Sequence, residues 1–199
     1  LDTRVRGLHV FRTIYYLPAI VPAVASFILW LWIFNPSRGL LNQTLRIFGF
    51  ENPPYWLQDP NWAKPALILM GLWGVGGSMI VYLAGLKGVP QHLYEAAKID
   101  GANAVQSFFA ITLPMLSPTL FFTLTTGIIG ALQIFTVGYV FGPGPENSTY
   151  FIVLRIWHAA FQWYKMGFAS ALAWMLFALI MAITGLQLWL AKYWVYYES

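Results

Sequence analysis

Cysteine is absent from the 199 residues, which excludes disulfides, thiolate metal sites and cysteine nucleophiles. Charge is scarce: Asp, Glu, Lys and Arg make up 9% of the chain, against about a quarter in a soluble domain. A chain with so little charge cannot cover a globular surface, and 59% of its residues are hydrophobic, so it calls for lipid as solvent. No GxxxxGK[ST] phosphate loop occurs, and the glycine-rich turn at Gly142 lacks the lysine, so ATP is not bound by that route. The three histidines, His9, His92 and His158, are too far apart in sequence for metal-ligand spacing. No nucleophile, base and orienting group can be assembled, so an enzyme is not expected. The eleven Lys and Arg residues are spread over several loops, which reads as membrane flanks and not as a nucleic-acid surface. The opening Leu1-Asp2-Thr3-Arg4 carries neither Met nor a basic-then-apolar leader and reads as the start of a fragment.

What is present is a set of long uncharged runs, with a mean hydropathy of +0.63. A bilayer core of about 30 Å needs roughly 20 apolar residues in helix. Four stretches meet that length, at about 15–34, 65–86, 114–141 and 168–191, and none carries an ionisable residue in its interior. The last point disfavours a proton-coupled carrier, which places such a group there. Each run must be helical, because lipid satisfies no backbone N–H or C=O, and the alternating polarity of a β-barrel is missing. The expected fold is an all-α membrane protein, a transmembrane helix bundle forming one domain over residues 1–199.

Local chemistry refines the spans. Pro18 and Pro22 should bend the first, and Asn35-Pro36 should end it. Gly74 and Ser78, beside Gly71, Gly76 and Gly77, form a small-xxx-small pair that predicts close helix packing in the second. Gly127 with Ala131, and Ala169 with Ala173, predict the same in the third and fourth. Asn35-Pro36, Asn52-Pro53-Pro54 and Asp59-Pro60 make 35–64 a loop with turns, and Trp56 and Trp62 fit an interfacial belt. In the 141–167 loop, Tyr150 to Arg155 with Trp157, Phe161 and Trp163 fits an interfacial helix. Loop charges barely discriminate the two sides. Arg4, Arg6, Arg12, Lys87, Lys98 and Lys192 fall on one, and Arg38, Arg46, Lys64, Arg155 and Lys165 on the other. The difference of one favours a cytoplasmic N-terminus.

The chain leaves the membrane between the second and third spans, over 87–113. Pro90 followed by Gln91 reads as a helix start. Leu93, Ala96, Ala97 and Asp100 share one face at three- and four-residue spacing. Gly101 suits the left-handed position that ends a helix, and Asn103 with Gln106 three later predicts a capping pair opening a second short helix through Phe108 and Phe109. Pro114 marks re-entry into the membrane. Helix, glycine turn, helix, with small residues at Ala96 and Ala97, suits a knob for a partner's groove; a plain solvated connector fits these residues as well.

The stretch resembles the signature of bacterial ABC-importer permeases: EAA, three residues, G, nine residues, IxLP. Here those positions are Glu95, Ala96, Ala97, Gly101, Ile111, Leu113 and Pro114. Further pieces resemble the carbohydrate-uptake branch, the kind importing maltose-type oligosaccharides or glycerol-3-phosphate. They include Arg12-Thr13 with Leu17-Pro18, Trp32 with Gly39 and Asn42, Asp100-Gly101-Ala102, Gly144-Pro145 with Thr149, and Gly167 with Ala169-Ser170-Ala171. The resemblance covers essentially the whole chain.

The resemblance implies a multi-pass protein of a bacterial or archaeal cell membrane, with the 87–113 loop cytoplasmic and docked in a groove of an ABC ATPase subunit. Glu95, Ala96, Ala97, Asp100, Gly101, Ile111, Leu113 and Pro114 would couple ATPase closure to alternating access. ATP would be bound by that partner, and this chain would carry no cofactor. A second homologous permease subunit and an extracytoplasmic solute-binding protein would complete the importer, with the 35–64 and 141–167 loops facing the binding protein. Such permeases have about six spans, so the four visible here would be the last four. Relatives often place an acid after the phenylalanine where Thr136 follows Phe135. Gln133, Phe135 and Tyr139 are candidates for a sugar path, and packing is the other role open to them. A second reading, motivated by the span count, is a non-transporting membrane scaffold or assembly protein that retains the fold.

Overall fold

The computed structural model describes residues 8–196, with side chains from Val10 onward. Arg4, Arg6 and the side chain of His9 lie outside the described residues. Among those described there are helices and turns and no strand. Two helical stretches are long and apolar enough to cross a membrane outright, and four are if each of two bent pairs counts as one span.

The first expected span is two helices. α1 (Leu8–Ile20) and α2 (Ala23–Ile33) meet at 98° across Val21 and Pro22. Pro18 sits inside α1 without breaking it. The break falls at Pro22 because its ring nitrogen cannot donate to the Pro18 carbonyl, which instead accepts from Val21 at 3.3 Å. α2 ends before Asn35-Pro36, where expected. A short α3 (Leu40–Ile47) follows in the loop.

The second expected span, 65–86, begins earlier and is also divided. α4 (Pro60–Trp73) opens with Asp59 capping Asn61 N–H and proline in the first turn. α5 (Gly76–Gly88) follows at 48° beyond Gly74 and Val75. Gly74 thus lies in a kink, and Gly71 and Gly74 face no neighbouring helix. The close approaches are at Gly76, whose missing Cβ leaves room for the Tyr15 carbonyl of α1, and at Gly85, where a Cβ would stand 2.7 Å from Thr119 Oγ1. Gly127 likewise faces open space, and of the Ala169–Ala173 pair only Ala169 is buried. The small-residue pairing expected at Gly74–Ser78 and Gly127–Ala131 is therefore replaced by contacts at Gly76 and Gly85.

α6 (Gln91–Ile99), α7 (Ala104–Ser107) and α8 (Leu113–Met115) form the segment between spans, with five π-helical residues, Phe108–Thr112, between α7 and α8. Pro114 therefore lies in the last turn of that segment. The third span begins at Ser117, as α9 (Ser117–Leu132), and continues after a break at 133–135 as α10 (Thr136–Phe141). α11 (Ile152–Trp157) extends through a π turn, His158–Gln162, and is the helix expected in the 141–167 loop. α12 (Met166–Trp194) outruns its expected bounds of 168–191 at both ends.

α5 packs on α1 and α9, α9 on α12, α2 on α10, and α11 on α12. The tightest core gathers Trp30, Phe34, Trp56 and Ala66, with Ile33, Leu41, Leu45, Leu69 and Phe141 against it. The outer surface stays apolar. The most hydrophobic window of the span 117–141 has no buried residue, and that of α12 only 11%, so both need lipid or protein neighbours.

Candidate coupling element and aromatic cluster

Local rules account for the segment between the spans. Pro90 stands just before α6 in extended backbone and leads into Gln91. At the other end Gly101 has φ +78°. Its N–H donates to Lys98 O at 3.2 Å, and Ala102 N–H donates to Ala97 O at 2.9 Å. This pair of bonds closes the helix by the Schellman pattern and requires a left-handed residue at 101. Two residues on, Asn103 Oδ1 accepts from Gln106 N–H at 2.9 Å, and Gln106 Oε1 accepts from Asn103 N–H at 2.8 Å, which is the full capping box.

The second helix runs beyond the expected Phe109, through the π segment to Met115. Pro114 supplies the reason: without an N–H it cannot serve the Ala110 carbonyl, and the wider turn instead sends Leu113 N–H to Phe108 O. The two helices are locked at their base by Tyr94 Oη and Thr112 Oγ1, 2.8 Å apart. Thr112 is buried, and the concave side, about 490 Å³, is lined by Tyr94, Lys98, Ala102, Ser107 and Phe108 among others.

The signature residues fall into two groups. Glu95, Ala96, Asp100 and Gly101 are exposed, whereas Ala97 is half-buried with Leu93 and Tyr94, so Ala96 and Ala97 do not share one outward face. Ile111 and Pro114 are half-buried in the root of the second helix, with Leu113 at its surface. The exposed head also carries apolar residues that the motif does not include: Ile99 is 87% exposed, Val105 65% and Phe109 62%. Their signal was in the sequence, as large hydrophobics beside a turn glycine and a cap.

The break between α9 and α10 holds two of the three path candidates. Gln133 is exposed at the end of α9, and Phe135 occupies the residue before α10 with φ −121° and ψ −59°. Phe135 and Tyr139 stack with ring centroids 5.3 Å apart. Trp157 from α11 completes the group, edge-on to Tyr139 at 5.1 Å and 6.2 Å from Phe135. Behind it His158 Nδ1 pairs with Tyr150 Oη at 2.8 Å. The sequence places Trp157 in the interfacial helix and gives His158 only as one of three widely separated histidines. Only the folding of α11 against the α9–α10 break joins them.

A family model described as binding-protein-dependent transport system inner membrane component matches residues 4–194. A probable ABC transporter permease protein of Bacillus subtilis (strain 168), YesP, is 40% identical over the full chain, which covers 65% of that relative. The trehalose/maltose transport system permease protein MalF of Thermococcus litoralis is 38% identical over 92% of the chain and 62% of its own length. The chain thus spans less than two-thirds of these relatives. A crystal structure of a bacterial ABC transporter involved in the import of the acidic polysaccharide alginate contains a chain with TM-score 0.85 and 26% identity, over 96% of this chain and 68% of that one. With the helix order, the capped turn at Gly101 and these matches together, the chain belongs to the family of binding-protein-dependent transport system inner membrane components.

Proposed function

We propose that this chain is the membrane-spanning part of an ATP-driven, binding-protein-dependent importer for a sugar or sugar-like solute. The observation that carries the reading is the protruding helix–turn–helix, whose exposed Glu95, Ala96 and Asp100 surround a Schellman-closed Gly101 beside exposed Ile99, Val105 and Phe109. A solvated connector has no use for so much bare apolar surface, whereas a groove on a soluble ATPase would cover it. ATP would stay with that subunit, while a second permease and an extracytoplasmic binding protein would complete the assembly. The head of the loop, Glu95 to Gly101, would sit in the groove, and the root, Ile111 to Pro114, would pass its motion to the spans. Lactose and trehalose/maltose systems among the relatives support a carbohydrate cargo. The faces of Phe135 and Tyr139, with the Gln133 amide nearby, suit sugar rings, and Trp157 would extend that platform.

The test is co-purification of the ATPase with the tagged full-length permease, and ATP-driven uptake in proteoliposomes. Gly101→Val forces a β-branched residue into left-handed backbone, a penalty of about 1–2 kcal/mol that should lower both readouts about tenfold. Uptake and ATPase binding equal to those of the parent would refute the coupling role. Assembly with an ATPase but no uptake of any sugar tried would favour the scaffold reading instead.

A further inference from the structure

Where the helix–turn–helix joins α9, a buried hydroxyl reaches a distant part of the chain. Ser117 is 3% exposed. Pro118 has no N–H, so the Pro114 carbonyl lacks its ordinary helical donor, and Ser117 Oγ donates to it at 2.6 Å. That bond alone would repair the helix. Yet the same oxygen accepts a second bond, from the backbone N–H of Tyr196 at 2.8 Å, 79 residues further along the chain. Tyr196 lies beyond the last turn of α12, so this bond is no part of helix formation and is a tether between distant parts of the chain. Phe121 and Trp194 pack beside it with ring centroids 6.1 Å apart. From the other side Gly85 of α5 closes on Thr119 and Leu116. The end of α8 and the first turn of α9 thus sit where α5 and α12 converge, five residues beyond the Tyr94–Thr112 lock.

We infer that Ser117 is a positioning residue, a joint that makes the helix–turn–helix and the end of α12 move as one body. Without it the loop head could tilt on the proline-weakened segment 114–118 and leave the last span behind. With it, force on the head reaches α12 directly and not only along α9. The role of this joint in transport rests on the coupling reading above.

The test uses the full-length permease with its ATPase subunits in nanodiscs, and two spin-label pairs introduced into this cysteine-free sequence. His92→Cys, exposed on α6 outside the head that the ATPase would cover, paired with Ile47→Cys reports loop movement against the far side. His92→Cys with Leu190→Cys reports whether loop and α12 stay together. The 92–190 distribution should be narrow and insensitive to ATP in the parent. Tyr196→Pro removes the tethering N–H together with the exposed phenol, so Tyr196→Ala, which keeps the N–H, is its control and should hold the parent width. Val195, at φ −88° and ψ 121°, already has the backbone that precedes proline. Tyr196→Pro and Ser117→Ala should raise the population of detached conformers about fivefold, as for one net hydrogen bond, and Ser117→Thr should restore the parent width. A 92–190 distribution as narrow in Tyr196→Pro and Ser117→Ala as in the parent overturns the joint, even where the 92–47 distance still responds to ATP. A 92–47 distance that ignores ATP in the parent overturns the coupling reading and the joint's part in transport, while the nucleotide-free 92–190 widths still decide the tether.

Discussion

Gly76→Val is expected to leave almost no monodisperse protein, and even Gly76→Ala should be severely destabilised. A Cβ at this position would overlap the Tyr15 carbonyl oxygen and stand 2.7 Å from its carbon and 3.1 Å from Tyr16 Cα. All three atoms are main chain, so no rotamer change relieves the clash, and α1 must move off α5 as a body. Overpacking that side chains can absorb costs about 1–3 kcal/mol; here the upper end is the starting point. For Gly76→Ala that corresponds to a drop of about 10 °C in Tm, read by thermal size-exclusion of the detergent-extracted protein. Gly77→Ala is the matched control, because its Cβ would meet Ala19 Cβ at an ordinary 3.8 Å. Equal midpoints for the two variants would show that the α1–α5 crossing is not the tight contact described.

The same pair shows what the sequence can and cannot convey. Glycines at 71, 74, 76 and 77 announce that a backbone comes close somewhere, but which of them meets it depends on how far α5 is rotated and where α1 crosses it. Both are settled by the 98° break at Pro22 and the 48° kink at Gly74, not by spacing. Local rules transferred well where the interaction spans only a few residues. Gly101, Asn103 and Gln106 form the very cap and turn their order predicts, since every partner lies within five positions. The proline breaks at Pro22 and Asn35-Pro36 fall where their positions predict, and only re-entry, expected at Pro114, is displaced to Ser117. The weak point after Pro114 falls at Leu116, because two prolines four apart leave the Ala110 and Pro114 carbonyls, one turn apart, without their helical donors, and Ser117 serves the second. The break at 133–135 carries neither glycine nor proline and was invisible to pattern. So was Trp157 against Tyr139, a contact made only after two loops fold together.

Asn42→Leu is the second substitution expected to have a large effect, and it tests how the extramembrane loop is held. Asn42 is 1% exposed. Its Nδ2 donates to Pro36 O at 3.0 Å and to Pro54 O at 3.1 Å, and its Oδ1 accepts from Trp56 Nε1 at 2.6 Å. One amide therefore ties the exit of α2, the turn before the short 3-10 helix Trp56–Gln58, and the indole that packs against Phe34 and edge-on to Trp62. Leucine fills a similar volume but satisfies none of the three groups. Each buried group left without a partner costs about 1–3 kcal/mol, so about 3–9 kcal/mol is expected in all. That is a fall in Tm of about 10 °C or more. Trp56→Phe keeps most of the ring and orphans only Oδ1, so its loss should be about 1–2 kcal/mol. The two substitutions share a bond, so the double variant should lose less than the sum of the singles. Additive losses, or an Asn42→Leu protein that melts with the parent, would mean that the buried amide does not organise this loop.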